Sequence, residues 1–201
     1  MTSFPSGHLL ALSDWQSFYV IVGSSAAALT GLTFIVITLA ADDRDGPGSA
    51  SARLSGLRVF ITPTAVHFGI ALWLAALMSM PGQTAASLAI LLAGTGLGGL
   101  AYCGTLLARL LGRTLDYKPF ASDWVWSVLL PLIAYLGLLT SGLTMTRAPS
   151  ASLYAVSGAA MLLLLIGIHN AWDVVVWMTT ERHARRERQR RGGGSSRGNP
   201  R

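Results

Sequence analysis

Charge is scarce in this chain: 15 basic and 9 acidic residues make up 12% of its 201 positions, about half the roughly 25% usual in soluble proteins. A water-facing surface cannot be covered at ordinary density by so few. The scarcity is uneven, because residues 59–108 contain no Asp, Glu, Lys or Arg at all. Cysteine is nearly missing too, and the single Cys103 excludes an intrachain disulfide framework of the secreted kind. The first 14 residues lack Lys and Arg and with them the basic start of a cleavable secretory signal. The apolar stretch that follows is too long for such a signal and is expected to be retained.

What is present is apolar: 52% of the residues are hydrophobic, gathered in uncharged runs. A bilayer core about 30 Å thick needs about 20 helical residues rising 1.5 Å each. On that ruler the chain reads as an all-α membrane bundle of five transmembrane helices, near 15–40, 59–80, 85–110, 123–145 and 151–177. The uncharged run 59–108 is about twice one crossing, and Pro81-Gly82-Gln83-Thr84 in its middle breaks it into a helical hairpin. Pro63 and Pro131 fall inside spans, where membrane helices tolerate proline if neighbours re-satisfy the freed carbonyl. The organisation is then an N-terminal segment 1–14, a membrane domain 15–180 and a basic tail 181–201. Residues 41–58, rich in Gly, Ser, Ala and Asp, read as a flexible loop. Asp42, Asp43 and Asp45 there lack the length and glycine placement of a calcium loop.

The formal charge of +6 would point to nucleic acid in a soluble chain, but 8 of the 15 basic residues lie in the last 20 positions. They describe a tail. Counted by side, Arg44, Arg53, Arg58, Arg109, Arg113, Lys118 and the eight tail arginines share one face, against Arg147 alone on the other. Basic residues are retained in the cytoplasm, so the N-terminus is expected outside and the C-terminus inside. Trp15 and Tyr154 would mark the outer boundary, and Trp124, Trp126 and Trp177 the inner one, where amphipathic rings settle.

Lipid gives helices little hydrophobic reason to associate, so small residues that let backbones approach carry much of the packing. Gly23, Ala27 and Gly31 form such a ridge on the first helix, Gly94 and Gly98 on the third, with Gly96, Gly99 and Gly104 beside them, and Gly137 and Ser141 on the fourth. These pack either the bundle itself or a homo-oligomer seam. The first helix, WQSFYVIVGSSAAALTGLTFIVITL from Trp15 to Leu39, carries Trp15, Phe18-Tyr19, Gly23, Ala26 to Ala28, Leu29-Thr30-Gly31-Leu32 and Phe34-Ile35-Val36. In this pattern it resembles the first helix of a group of small uncharacterised bacterial multi-pass membrane proteins. The resemblance covers about one eighth of the chain. It implies a bacterial inner-membrane location and brings no activity with it.

Ionisable groups inside a span are costly and need a reason. The fifth span holds His169, Asn170 and Asp173, and the second holds His67. His169 and Asp173 are four apart and share a helix face. By helical rise His67 lies about 13 Å from the inner boundary and His169 about 15 Å, with Tyr102 and Cys103 of the third span in the same half. Three readings stand side by side. The polar cluster holds the helices in register; or His67 and His169 ligate haem, or join Asp173 on a metal; or the cluster lines a wet pocket for protons or a solute. A zinc hydrolase needs three ligands plus an acid or base, which would exhaust the candidates and argues against an enzyme. Met78, Met80 and Met145 at the outer ends are thioethers of the kind that bind Cu(I), although methionine more often fills gaps.

The tail is expected to continue the fifth helix as far as Gly192-Gly193-Gly194 and to be disordered beyond. Arg182, Arg185, Arg186 and Arg188 are placed to meet anionic lipid headgroups. Without interleaved aromatics for base stacking, no nucleic-acid partner is expected.

Overall fold

A computed structural model describes residues 10–41, 47–112 and 124–195, with side chains described at 12–36, 38, 63–108 and 124–176. The described residues form α1 (Leu10–Ala41), α2 (Pro47–Ser79), α3 (Ala85–Gly112), α4 (Leu130–Thr144, entered through a π turn at Val125–Leu129) and α5 (Pro149–Ser195). No strand occurs among them. Leu12–Val36, Ala85–Ala108, Val125–Thr144 and Pro149–Val176 are long and apolar enough to cross a membrane, while α2 contributes the shorter apolar stretch Pro63–Ser79. Large apolar side chains such as Ile21, Phe34, Ile90, Leu97, Ile133 and Leu143 point outward. A helical bundle clothed this way belongs in lipid, as a multi-pass membrane protein.

Local chemistry explains where helices begin and end. Gly82 adopts φ +74° in the turn after α2, a left-handed conformation natural to glycine. Thr84 and Ser87 then cap α3 reciprocally: the Ser87 N–H donates to Thr84 Oγ1 at 3.1 Å and the Thr84 N–H to Ser87 Oγ at 3.0 Å. In the turn between α4 and α5 the Arg147 and Ala148 N–H groups both donate to the Thr144 carbonyl. The hydroxyls of Thr144 and Ser152 meet at 2.9 Å across it. Pro149 then opens α5, at the position where a missing N–H costs nothing. The π turn ends with the Leu130 N–H donating to the Val125 carbonyl and leaves Pro131 in the first turn of α4. The proline therefore starts a helix instead of kinking one.

Three sequence boundaries move. α2 starts at Pro47, so helix replaces most of the loop expected at 41–58; residues 42–46, with Asp42, Asp43 and Asp45, lie outside the described residues. Pro47 is itself a good first helical residue. α5 runs through Gly192–Gly194 to Ser195, a few residues past the expected stop. The side chains of Arg182, Arg185, Arg186 and Arg188 lie outside the described set, and α1 begins at Leu10 rather than near Trp15.

Laterally, α1 packs on α2, α2 on α5, α5 on α4 and α4 on α3, giving the order α1–α2–α5–α4–α3. The helix buried from most sides is α5: 56% of its spanning window is buried, against 17% for α1 at the edge. α2 and α3 are consecutive but not a packed pair; Trp73 Nε1 reaches Thr95 Oγ1 between them at 3.1 Å. The core is built from Tyr19, Val22 and Ala26 of α1, Phe68, Ala71 and Leu74 of α2, Leu88 and Leu92 of α3, Tyr135 and Leu138 of α4, and Val156, Leu163 and Ile166 of α5. Met78 and Met145 are buried among them as apolar fillers.

Close backbone approach is made by some of the expected glycines and by two, Gly142 and Gly167, that spacing did not single out. A methyl at Gly96 would come within 2.5 Å of the Leu139 backbone nitrogen, and one at Gly142 within 2.5 Å of that of Ala93. At Gly99 it would run into the ring of Tyr135, and at Gly167 into that of Phe68. Gly23 does pack, 3.0 Å from the Ala75 side chain, but Gly31, Gly94 and Gly98 have no neighbour within 4 Å and Ala27 is exposed. The expected intramolecular packing role of those four is corrected: they lie on outward flanks, one helical rotation away from the buried stripes.

Candidate functional site: an intramembrane His–Tyr pair and an inner Trp–His–Asp group

α2 packs between α1 and α5, and its buried residues Thr64, His67, Phe68, Ala71, Leu74 and Ala75 recur three to four residues apart. Phe68 takes the space left by Gly167 on α5. His67, one residue earlier, is turned inward and is only 2% exposed. Its ring stacks on Tyr135 of α4, centroids 6.2 Å apart and planes 27° apart. Tyr135 is itself fully buried and lies over Gly99 of α3. The Tyr102 and Cys103 side chains of α3 are within electrostatic reach of its hydroxyl. The site therefore draws on three helices.

Neither nitrogen of His67 nor the hydroxyl of Tyr135 has a protein hydrogen-bond partner. The Pro63 carbonyl one turn earlier is near enough to act on the imidazole as a weak acceptor, though not in full hydrogen-bond geometry. A third ring, Tyr19 of α1, is in the same condition: 1% exposed, its hydroxyl unpartnered. Tyr19 belongs to the aromatic group at the other end of the bundle. There Trp15 meets Phe18 edge-on at 5.9 Å and Tyr154 of α5 edge-on at 4.8 Å, so the two rings expected at one boundary are in contact.

The second polar group is wetter. His169 Nε2 lies 3.5 Å from Asp173 Oδ2, with side chains 31% and 53% exposed, and the imidazole stacks on Trp126 of the π turn at 3.9 Å and 26°. Asn170 is half-buried beside it. Trp126 thus serves as a lid on His169 and not solely as an interfacial anchor. Of the charged side chains described, Asp14 and Arg147 sit at or beyond helix ends near the Trp15–Tyr154 end of the bundle, which leaves Asp173 as the one charge along an apolar helix.

The structure brings His169 and Asp173 together but does not gather His67 with them. The rings on which the two histidines rest, Tyr135 and Trp126, are nine residues apart along the α4 run, about 13 Å. Among the described residues no group of three or more His, Cys, Asp or Glu side chains is close enough to hold a metal. The metal set His67, His169 and Asp173 is corrected accordingly. Sequence reasoning missed Tyr135, and it named Trp126 only as a boundary ring and Gly99 only among the small residues of the third helix. The available signal was a phenol in mid-span, since a buried Tyr hydroxyl requires a partner just as a histidine does. Comparison with family models, with curated proteins and with solved structures finds no match to the chain.

Proposed function

We propose that the protein is a five-crossing protein of the bacterial cytoplasmic membrane, N-terminus outside and C-terminus inside, that acts as a non-enzymatic accessory or interaction protein. The observation that supports this most is the way its intramembrane polar residues are used. His67 is buried and stacked on a ring of another helix, and His169 is held by Trp126 and Asp173. Both are consumed in fixing helix register. The resemblance of the Trp15–Leu39 segment to small multi-pass proteins supports the membrane. The basic residues support the orientation, and the tail arginines supply contacts to anionic headgroups.

Mild-detergent extraction from native membranes tests the reading, with native mass, protein composition and absorption spectrum read together. The expected result is a complex containing a second protein species and no Soret band. A chain recovered only as monomer or self-oligomer, or one carrying haem that is lost in His67→Ala, overturns it. A proton- or solute-conducting bundle is the second reading, and the unpartnered nitrogens of His67 favour it. A flux through vesicles of the purified chain that disappears in His67→Ala would select it over the first.

A further inference from the structure

His67 and Tyr135 present three polar atoms that are sealed from the outside and unmatched by protein. They come from α2 and α4, two helices that both pack on α5 and do not pack extensively on each other. Around them the Pro63 carbonyl offers His67 at most a weak, poorly aligned contact, Tyr102 and Cys103 lie near the Tyr135 hydroxyl without bonding it, and Gly99 presents no side chain beneath the phenol. Lipid offers no substitute either, and polar groups at membrane depth must be satisfied from within. A neutral imidazole carries one donor and one acceptor, and a phenol hydroxyl is both.

We propose that His67 and Tyr135 form a binding site for a small neutral molecule that donates and accepts hydrogen bonds at once, and that its occupant is water. The chemistry follows from the atoms: an ion would be left uncompensated between neutral groups, and an apolar molecule would leave all three atoms unmatched. The size follows from burial, since rings exposed by 2% and 0% leave no path for a larger solute. A water bridging the imidazole and the hydroxyl gains the two to four polar partners that buried waters require. The site would add a hydrogen-bonded link between α2 and α4 to the ring stacking of His67 on Tyr135. The inference rests on neither reading of the function: a chain purified without a partner leaves it intact, and a dry pair leaves the partner intact.

The test uses the full chain in detergent, with thermal unfolding and infrared spectra in H2 16O and H2 18O. Tyr135→Phe keeps the ring and removes only the hydroxyl. It is expected to lower the melting temperature by about 3–10 °C and to abolish an 18O-sensitive O–H stretch seen in the parent. His67→Phe is expected to abolish the same band, and the double variant to fall by less than the sum of the two. A melting temperature equal to or above the parent in Tyr135→Phe, as deletion of a merely orphaned hydroxyl gives, overturns the proposal. So does a fall in melting temperature with the band retained. If neither variant is recovered folded, an experimental density map of the parent decides: a water within about 3.2 Å of both Tyr135 Oη and a His67 nitrogen is expected, and its absence overturns the site.

Discussion

At Gly99 a methyl group would enter the ring of Tyr135, whereas at Gly98, the preceding residue, it would meet no atom within 4 Å. A helical rotation of about 100° separates them, and it converts one glycine into a requirement and the other into a weakness. Gly99→Ala is therefore expected to destabilise the folded chain by about 1–3 kcal/mol through overpacking. Gly98→Ala is expected to be neutral or to stabilise by up to about 1 kcal/mol, the ordinary helix-propensity gain. Thermal unfolding of the two variants in the same detergent checks both, and equal losses would show that Gly98 is covered by a second copy. The sequence could not separate them because Gly94, Gly96, Gly98 and Gly99 crowd one helix, and spacing alone allows more than one glycine face. The polar residues were more legible. A histidine and an aspartate four apart announce their own pairing, but the aromatic rings that complete each site come from another helix and leave no local signature.

Uncharged length marked all five helices to within a few residues at most ends, because the cost of burying a charge in lipid acts on every span alike. Which side of each helix faces inward was less legible. In a soluble helix the polar face answers that question, whereas here both faces are apolar and only packing distinguishes them. On α1 the small residues Gly23, Ala27 and Gly31 suggested the contact face, but the buried stripe is Tyr19, Val22 and Ala26, with Trp15 and Leu29 packed against it. Tyr19 and Val22 make the seam together with the small Gly23 and Ala26, while Ala27 and Gly31 flank it. Ala26, fully buried, and Ala27, exposed, therefore offer a test of the α1–α2 pairing. Ala26→Leu is expected to loosen α1 from α2 and to cost about 1–3 kcal/mol, while Ala27→Leu is expected to fold like the parent. Protease sensitivity of α1 together with melting temperature separates the two. A reversal of the order would place the seam on the Gly23–Ala27–Gly31 ridge after all.

For the whole molecule, the described residues form five helices, four of them long and apolar enough to cross a membrane, and the helix count is readable from the chain because it depends on totals. The lateral order α1–α2–α5–α4–α3 is not, since all the spans are alike to hydropathy and consecutive α2 and α3 turn out to be poor partners. Sidedness leads to the last prediction. Five crossings put the termini on opposite sides, while four, with α2 lying along the surface, would put them on the same side. α2 is 33 residues long, about 50 Å of helix, and its inward stripe Thr64 to Met78 is buried against α1 and α5, so it is expected to cross. A reporter fused after Arg201 should work only in the cytoplasm and one fused before Met1 only outside. Matching signals from both ends would mean four crossings. Deleting residues 182–201 removes eight of the fourteen inner basic residues and leaves six facing Arg147 alone. That bias still favours the same orientation, but by less, so the truncated chain, its reporter moved to residue 181, is expected to fold with its helices unchanged and to show a minor inverted population. If reporter ratios for the truncated and full chains coincide, the tail has no part in orienting the bundle and its arginines act on something other than topology.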